Sequence, residues 1–208
     1  MLAIAGGKGG SGKTTTTACL ARGLAGEGRA PIAVDGDCDM PDLHLVAGAC
    51  PRPGIGAYEG GASLDEVTHS AVELPGVEVL PAGRGGVGAL EATMEQLAAT
   101  PRPVVVDTPA GASPVVATAL RAADAVVVVS TATPESLEDA AKTAAMARTL
   151  GTRVLGAVVT RSAGRIEPEP LLGCQTLAHV PDVTAPLTDE TVAARYDRVV
   201  DEVAERNI

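Results

Sequence analysis

Residues 7 to 14 read Gly7-Lys8-Gly9-Gly10-Ser11-Gly12-Lys13-Thr14, a match to the pattern G-x-x-x-x-G-K-[ST]. The stretch follows a short apolar run at 2 to 5 and opens a segment at 13 to 26 that is patterned as a helix. Glycines reach backbone conformations closed to other residues, so successive amides can turn inward to face phosphate oxygens. The helix behind them adds its positive N-terminal end. Lys13 then supplies a point charge for the β- and γ-phosphates, and the Thr14 hydroxyl is the expected magnesium ligand. A turn that merely caps a helix needs no lysine, yet two of the chain's three lysines lie in this stretch. The phosphate cradle is therefore assigned to Gly7, Lys8, Gly9, Gly10, Ser11, Gly12, Lys13, Thr14 and Thr15.

Short Val-rich runs recur at 2 to 5, 32 to 34, 77 to 80, 104 to 106, 125 to 129, 154 to 159 and 177 to 180. Helix patterns lie among them at 13 to 26, 87 to 99, 112 to 121, 134 to 150 and 188 to 206. Continuous apolar runs read as strands buried on both faces. Their alternation with helices predicts an α/β fold: a doubly wound, mostly parallel sheet with helices on both faces, the three-layer plan of P-loop NTPases, with residues 1 to 208 as one domain. Thr133-Pro134 supplies an N-cap and a first-turn proline for the helix that ends before Gly151. The Gly/Pro-rich stretch 49 to 61 reads as a surface loop within the domain. Ligands in such sheets bind beyond the carboxyl ends of the strands, so the loops after 2 to 5, 32 to 34, 104 to 106 and 154 to 159 should share one site.

Two of those loops carry carboxylates. Asp35-Gly36-Asp37 follows the second run, and Asp107 ends the run at 104 to 106. Phosphoryl transfer rests on orientation and charge neutralisation, which one acid near the metal and another on the attacking water would provide. Asp35 takes the place near the metal, Asp37 the water, and Asp107 the metal-bound water expected of a Walker B strand. The alternative for Asp35, Asp37 and Asp39 is a solvated acidic turn.

The bulk composition narrows the partners. The chain has 208 residues, 46% hydrophobic, with no Trp, no Phe and only two Tyr, so small aliphatic side chains must build the core and base stacking on aromatics is disfavoured. A formal charge of −10 gives a surface that repels nucleic acid and anionic lipid. Three Lys against thirteen Arg with abundant Asp and Glu suit a very salty cytoplasm, GC-rich codon bias being the other source of such a balance. Cys19, Cys38, Cys50 and Cys174 form no C-x-x-C pair, which argues against a disulfide framework or zinc site. No leader-like start and no long apolar segment is present, so a cytoplasmic location is expected.

Lys8 is the residue that an ordinary phosphate loop does not need. With it, the segment from Lys8 to Thr14 resembles the deviant Walker A motif of the MinD/ParA superfamily of ATPases, and the chain looks closest to MinD-like members. Met40-Pro41-Asp42-Leu43 resembles the family's switch I, and Asp107-Thr108-Pro109-Ala110-Gly111 its switch II. Ala123-Asp124 and Thr133-Pro134-Glu135-Ser136 resemble its next strand and helix. The resemblance implies ATP or ADP with Mg2+ as cofactors, slow hydrolysis, and a homodimer closed by ATP. In it Lys8 reaches across to the partner's phosphates and acts with Lys13 and Asp37 in catalysis, while Thr14, Asp35 and Asp107 serve the metal. An unidentified protein activator or cargo, and a role in spatial positioning or cell division, are part of the same implication. Relatives place Asn-Arg after the late strand to read adenine, whereas this chain has Thr160-Arg161. Arg161, Pro181 and Asp182 are the base-lining residues by resemblance.

Two other classes share the fold. A DNA-segregation ATPase of the ParA kind would need a basic surface, and an iron-sulfur carrier would need paired cysteines. Membrane-binding MinD proteins end in a basic amphipathic helix. Residues 189 to 206 carry six acids and three arginines around the stripe Val192, Tyr196, Val199 and Val203, a pattern that docks on a protein core. The acidic balance makes one direct prediction: the melting temperature rises as KCl is raised toward molar concentrations. A flat profile would instead assign the composition to codon bias.

Overall fold

The computed structural model describes residues 1–164 and 166–205, so Arg206, the last residue of the expected final helix, lies outside the described residues. The strands are β1 (Leu2–Gly6), β2 (Ile32–Asp35), β3 (His69–Ser70), β4 (Glu78–Leu80), β5 (Val104–Ala110), β6 (Ala125–Thr131), β7 (Arg153–Thr160) and β8 (Thr176–Val180). The helices are α1 (Lys13–Gly26), α2 (Leu43–Ala47), α3 (Ile55–Glu59), α4 (Leu64–Val67), α5 (Val87–Leu97), α6 (Pro114–Ala122), α7 (Pro134–Thr149), α8 (Glu169–Leu172) and α9 (Glu190–Glu205).

The sheet runs β3-β4-β2-β5-β1-β6-β7-β8. Every pairing is parallel except β3 against β4. All five residues of β1 are buried, because helices cover both faces, and a strand so placed has no use for polar alternation. Leu2 and Ile4 pack toward α1 and α9 with Leu20, Tyr196 and Val199. Ala3 and Ala5 pack the other way, toward Val116 of α6 and Ala140 and Ala144 of α7. The expected strands are all present. The strand order reverses at β1: β2 to β5 lie on one side of it, and after β5 the chain crosses to β6, β7 and β8 on the other. A crevice opens at such a point beyond the carboxyl ends.

The α9 stripe lies against the core as expected. Val192, Tyr196, Val199 and Val203 are buried, and the Tyr196 hydroxyl shares a 2.8 Å hydrogen bond with Thr16 of α1. Among the described residues no helix is long and apolar enough to cross a membrane.

One expectation is corrected. Stretch 49 to 61 is not a surface loop throughout: it holds α3, whose Ile55 is fully buried among Val34, Leu80, Leu90 and Val106. The Ile55 amide donates to the Pro81 carbonyl at 3.0 Å, which pins the segment to the end of β4. Cavity formation at such a site costs about 2–5 kcal/mol, so Ile55→Ala should lower unfolding stability by that amount in a urea titration. An unchanged midpoint would mean that α3 is not part of the core.

Candidate functional site

Gly12 sits in the left-handed region, with φ 91°, and is the N-cap of α1. Only glycine adopts that backbone without strain, and it brings no side-chain oxygen to the helix start. No acidic residue lies in the first turn either. The first amides of α1 therefore have no side-chain cap, and with the loop before them they form a donor-rich, positive concavity. Gly7 meets a different need: a Cβ there would stand 2.1 Å from Cβ of Asp139, so the loop lies directly against α7.

A cleft of about 530 Å³ opens over this loop. Of the residues read from the sequence it gathers Gly9, Gly10, Gly12, Lys13, Thr14, Thr15, Asp37 and Arg161. Ser11 lies beneath the loop, 2% exposed. Lys8 is exposed and lines an adjoining cleft with Thr133 and Arg161; among the described residues it makes no ion pair. Asp182 reaches the rim, its carboxylate 3.8 Å from Nε of Arg161. Pro181, next to Asp182 in the chain, lines a neighbouring cleft with His179 and Arg195.

Lys13 is almost fully buried. Burial holds its ammonium below the ordinary lysine range, while Asp107, Asp37 and Asp42 oppose that shift. Asp107 is buried at the end of the strand segment it was read to close, and burial pushes its carboxyl up to about 7 against the pull of Thr14 and Lys13. Its Oδ1 has no hydrogen-bond partner, and an orphaned carboxylate oxygen at a charged site is suited to a metal or to a metal-bound water.

Asp35 pairs with Asp107 in the β2–β5 register. Its two oxygens accept from the amides of Asp37 and Leu43, each at 3.2 Å. Burial, with Asp107 adding to it, drives its carboxyl up to about 8 against those amides. Asp35 thus organises the turn into α2 from below. Asp37 in turn accepts from the amide of Met40 at 3.0 Å and that of Asp39 at 3.3 Å, which holds its carboxyl at the cleft wall. The solvated-turn alternative fits Asp39, which is exposed.

Asp42 is a site residue that received no role from the sequence. Its carboxylate accepts from the Thr14 hydroxyl at 2.9 Å, and its carbonyl accepts from the amides of Leu45 and Val46 at the start of α2. Motif spacing gave only a hint of it, as part of the segment resembling switch I.

The sheet crevice, the glycine loop and the buried lysine ringed by carboxylates define a nucleotide-binding domain of the phosphate-loop class. Residues 2–179 match the CobQ/CobB/MinD/ParA nucleotide binding domain family, and the chain belongs to that family. It is 32% identical over 189 residues to an uncharacterized ATP-binding protein of Methanocaldococcus jannaschii, covering 86% of this chain and 71% of that protein. Among solved structures, the septum site-determining protein MinD of Pyrococcus horikoshii complexed with Mg-ADP superposes with a TM-score of 0.84 at 24% identity, over 99% of this chain and 96% of that one. A MinC:MinD cell division protein complex of Aquifex aeolicus gives 0.85 at 18% identity, over 100% and 96%.

The raised carboxyls carry a pH consequence. A group that keeps its proton longer in the folded chain than in the unfolded one makes the folded state the better proton binder, so stability falls as pH rises through that window. For Asp35 and Asp107 the window runs from the ordinary carboxylate range to about 8. The nucleotide-free protein should therefore melt at progressively lower temperature across it, and Asp107→Asn should flatten the decline. An Asp107→Asn profile as steep as the parent's would contradict this assignment.

Proposed function

We propose that this chain is a slowly hydrolysing, magnesium-dependent ATPase of the MinD/ParA type, closed into a homodimer by ATP and opened by hydrolysis, which a partner protein reads as a switch in spatial positioning or cell division. The observation that carries this reading is the uncapped start of α1 beside a buried Lys13 whose carboxylate neighbours include Asp107 with an orphaned oxygen. Such a site is complete only with a polyphosphate and a cation. Magnesium in phosphoryl-transfer sites takes few protein ligands and completes its shell with phosphate oxygens and water, neutralising charge on the phosphates. Thr14 would hold it, with Asp107 close by to neutralise its charge and Asp35 acting near it through the turn it fixes. Lys13 binds the β- and γ-phosphates of its own chain, and Asp37 positions the attacking water.

The dimer assignment rests on Lys8. An exposed lysine with no ion pair among the described residues, on a loop that already has its own lysine, is available to a second copy's phosphates. The Mg-ADP bound to the Pyrococcus protein and the MinC partner of the Aquifex protein support the cofactor and the partner-read switch. The acidic surface speaks against direct contact with nucleic acid or anionic membrane.

Two substitutions separate the lysines. Lys13→Ala should abolish nucleotide binding, whereas Lys8→Ala should bind Mg-ATP yet lose ATP-induced dimerisation in sedimentation and lose hydrolysis. A Lys8→Ala protein that dimerises with ATP as the parent does would remove the trans role.

A further inference from the structure

We infer that Thr160, at the carboxyl end of β7, is a positioning residue of the phosphate loop: its hydroxyl sets the direction in which the Gly12 amide points. The inference deepens the nucleotide reading above and rests on it.

The Thr160 side chain is buried, and its hydroxyl donates to the Ser11 carbonyl at 2.7 Å, with a longer 3.2 Å approach to the Ser130 carbonyl. A hydroxyl has one proton, and the shorter contact directs it to Ser11. The peptide unit is planar and trans, so the carbonyl of Ser11 and the amide of Gly12 point in opposite directions. Holding the carbonyl down toward the sheet therefore turns the Gly12 amide up, away from Thr160, and Gly12 lines the cleft. Gly10 precedes this peptide unit and Gly12 forms its other half, and with no Cβ on Gly12 to restrict φ the unit could rotate without the strap and withdraw its donor from the cradle.

The ledge below the strap is tied by hydrogen bonds. The Ser130 hydroxyl donates to the Thr131 carbonyl at 2.9 Å and lies 3.0 Å from the Ser136 hydroxyl, whose oxygen accepts from the Thr131 amide. The ends of β6 and β7 and the start of α7 are thus joined beneath the loop. The approach requires the glycine: a Cβ at Gly12 would lie 3.2 Å from the Thr160 methyl. A residue 149 positions away in the chain completes what the motif itself leaves free.

The test compares the full-length parent, Thr160→Val and Thr160→Ser by calorimetric titration with Mg-ADP, alongside thermal melts and the 15N–1H resonance of the Gly12 amide. Valine keeps the volume and loses the proton; serine keeps the proton and loses the methyl. The valine variant should fold and bind Mg-ADP roughly tenfold more weakly, while the serine variant binds within about twofold of the parent. On adding Mg-ADP the Gly12 amide should move downfield in the parent and the serine variant and stay in place in the valine variant. Parent-like affinity in the valine variant, or a serine variant as weak as the valine one, overturns the inference. Should the valine variant not fold, the serine variant decides alone: parent-like binding with the Gly12 shift supports the strap, and loss of either overturns it. Failure of the parent itself to bind Mg-ADP would show in the first titration and would condemn the nucleotide reading, not merely the strap.

Discussion

An α-helix begins with amides that its own backbone cannot satisfy, and most helices meet that need with a Ser, Thr, Asp or Asn at the cap. Helix α1 does not: its cap is Gly12 in the left-handed conformation, and its first turn is Lys13, Thr14 and Thr15. α7, by contrast, is capped by the Thr133 hydroxyl and opens on Pro134. The helix at the sheet's reversal point is thus left without a cap of its own, and its unmet donors call for an acceptor from outside the helix, for which an anion is suited. The adjacent elements serve that arrangement. β1 delivers the loop from the centre of the sheet, and α7 closes against Gly7.

The negative side of the site is built as carefully. Asp35 and Asp107 stand at the same register on adjacent strands, both buried. Two buried carboxyls side by side hold protons at neutral pH unless a cation stabilises their ionised forms. Lys13 supplies one positive charge, and a bound divalent cation would supply a larger one. The turn from β2 into α2 is tied to this cluster at two points, through Asp35 from below and through the Thr14–Asp42 hydrogen bond from above. Thr14 of α1 and the N-cap residue of α2 are therefore in direct contact, which under the proposed function would let this segment report nucleotide state.

Much of this was legible in the chain, for reasons that differ by element. The strands announced themselves because Val runs buried on both faces have no polar interruptions, and α7 because Thr133-Pro134 and Gly151 bracket it. The phosphate loop needed only its spacing. Four short helices escaped, since α2, α3, α4 and α8 span at most five residues each and leave no room for a helical period. Ile55, alone among glycines and prolines, gave no sign that it was core. β3, two residues long, pairs through backbone alone. At the site, Asp42 and Thr160 act on Thr14 and Ser11 from 28 and 149 residues away, and no local pattern encodes such a contact.

The central claim is that the amides and lysine at the start of α1 capture a polyphosphate with a divalent metal. Isothermal calorimetry of the folded, full-length protein with Mg-ADP and Mg-ATP tests it most directly. The account predicts saturable heat for both nucleotides, weakened when magnesium is chelated. Absence of heat from either nucleotide, in a buffer where the protein is demonstrably folded, would contradict it.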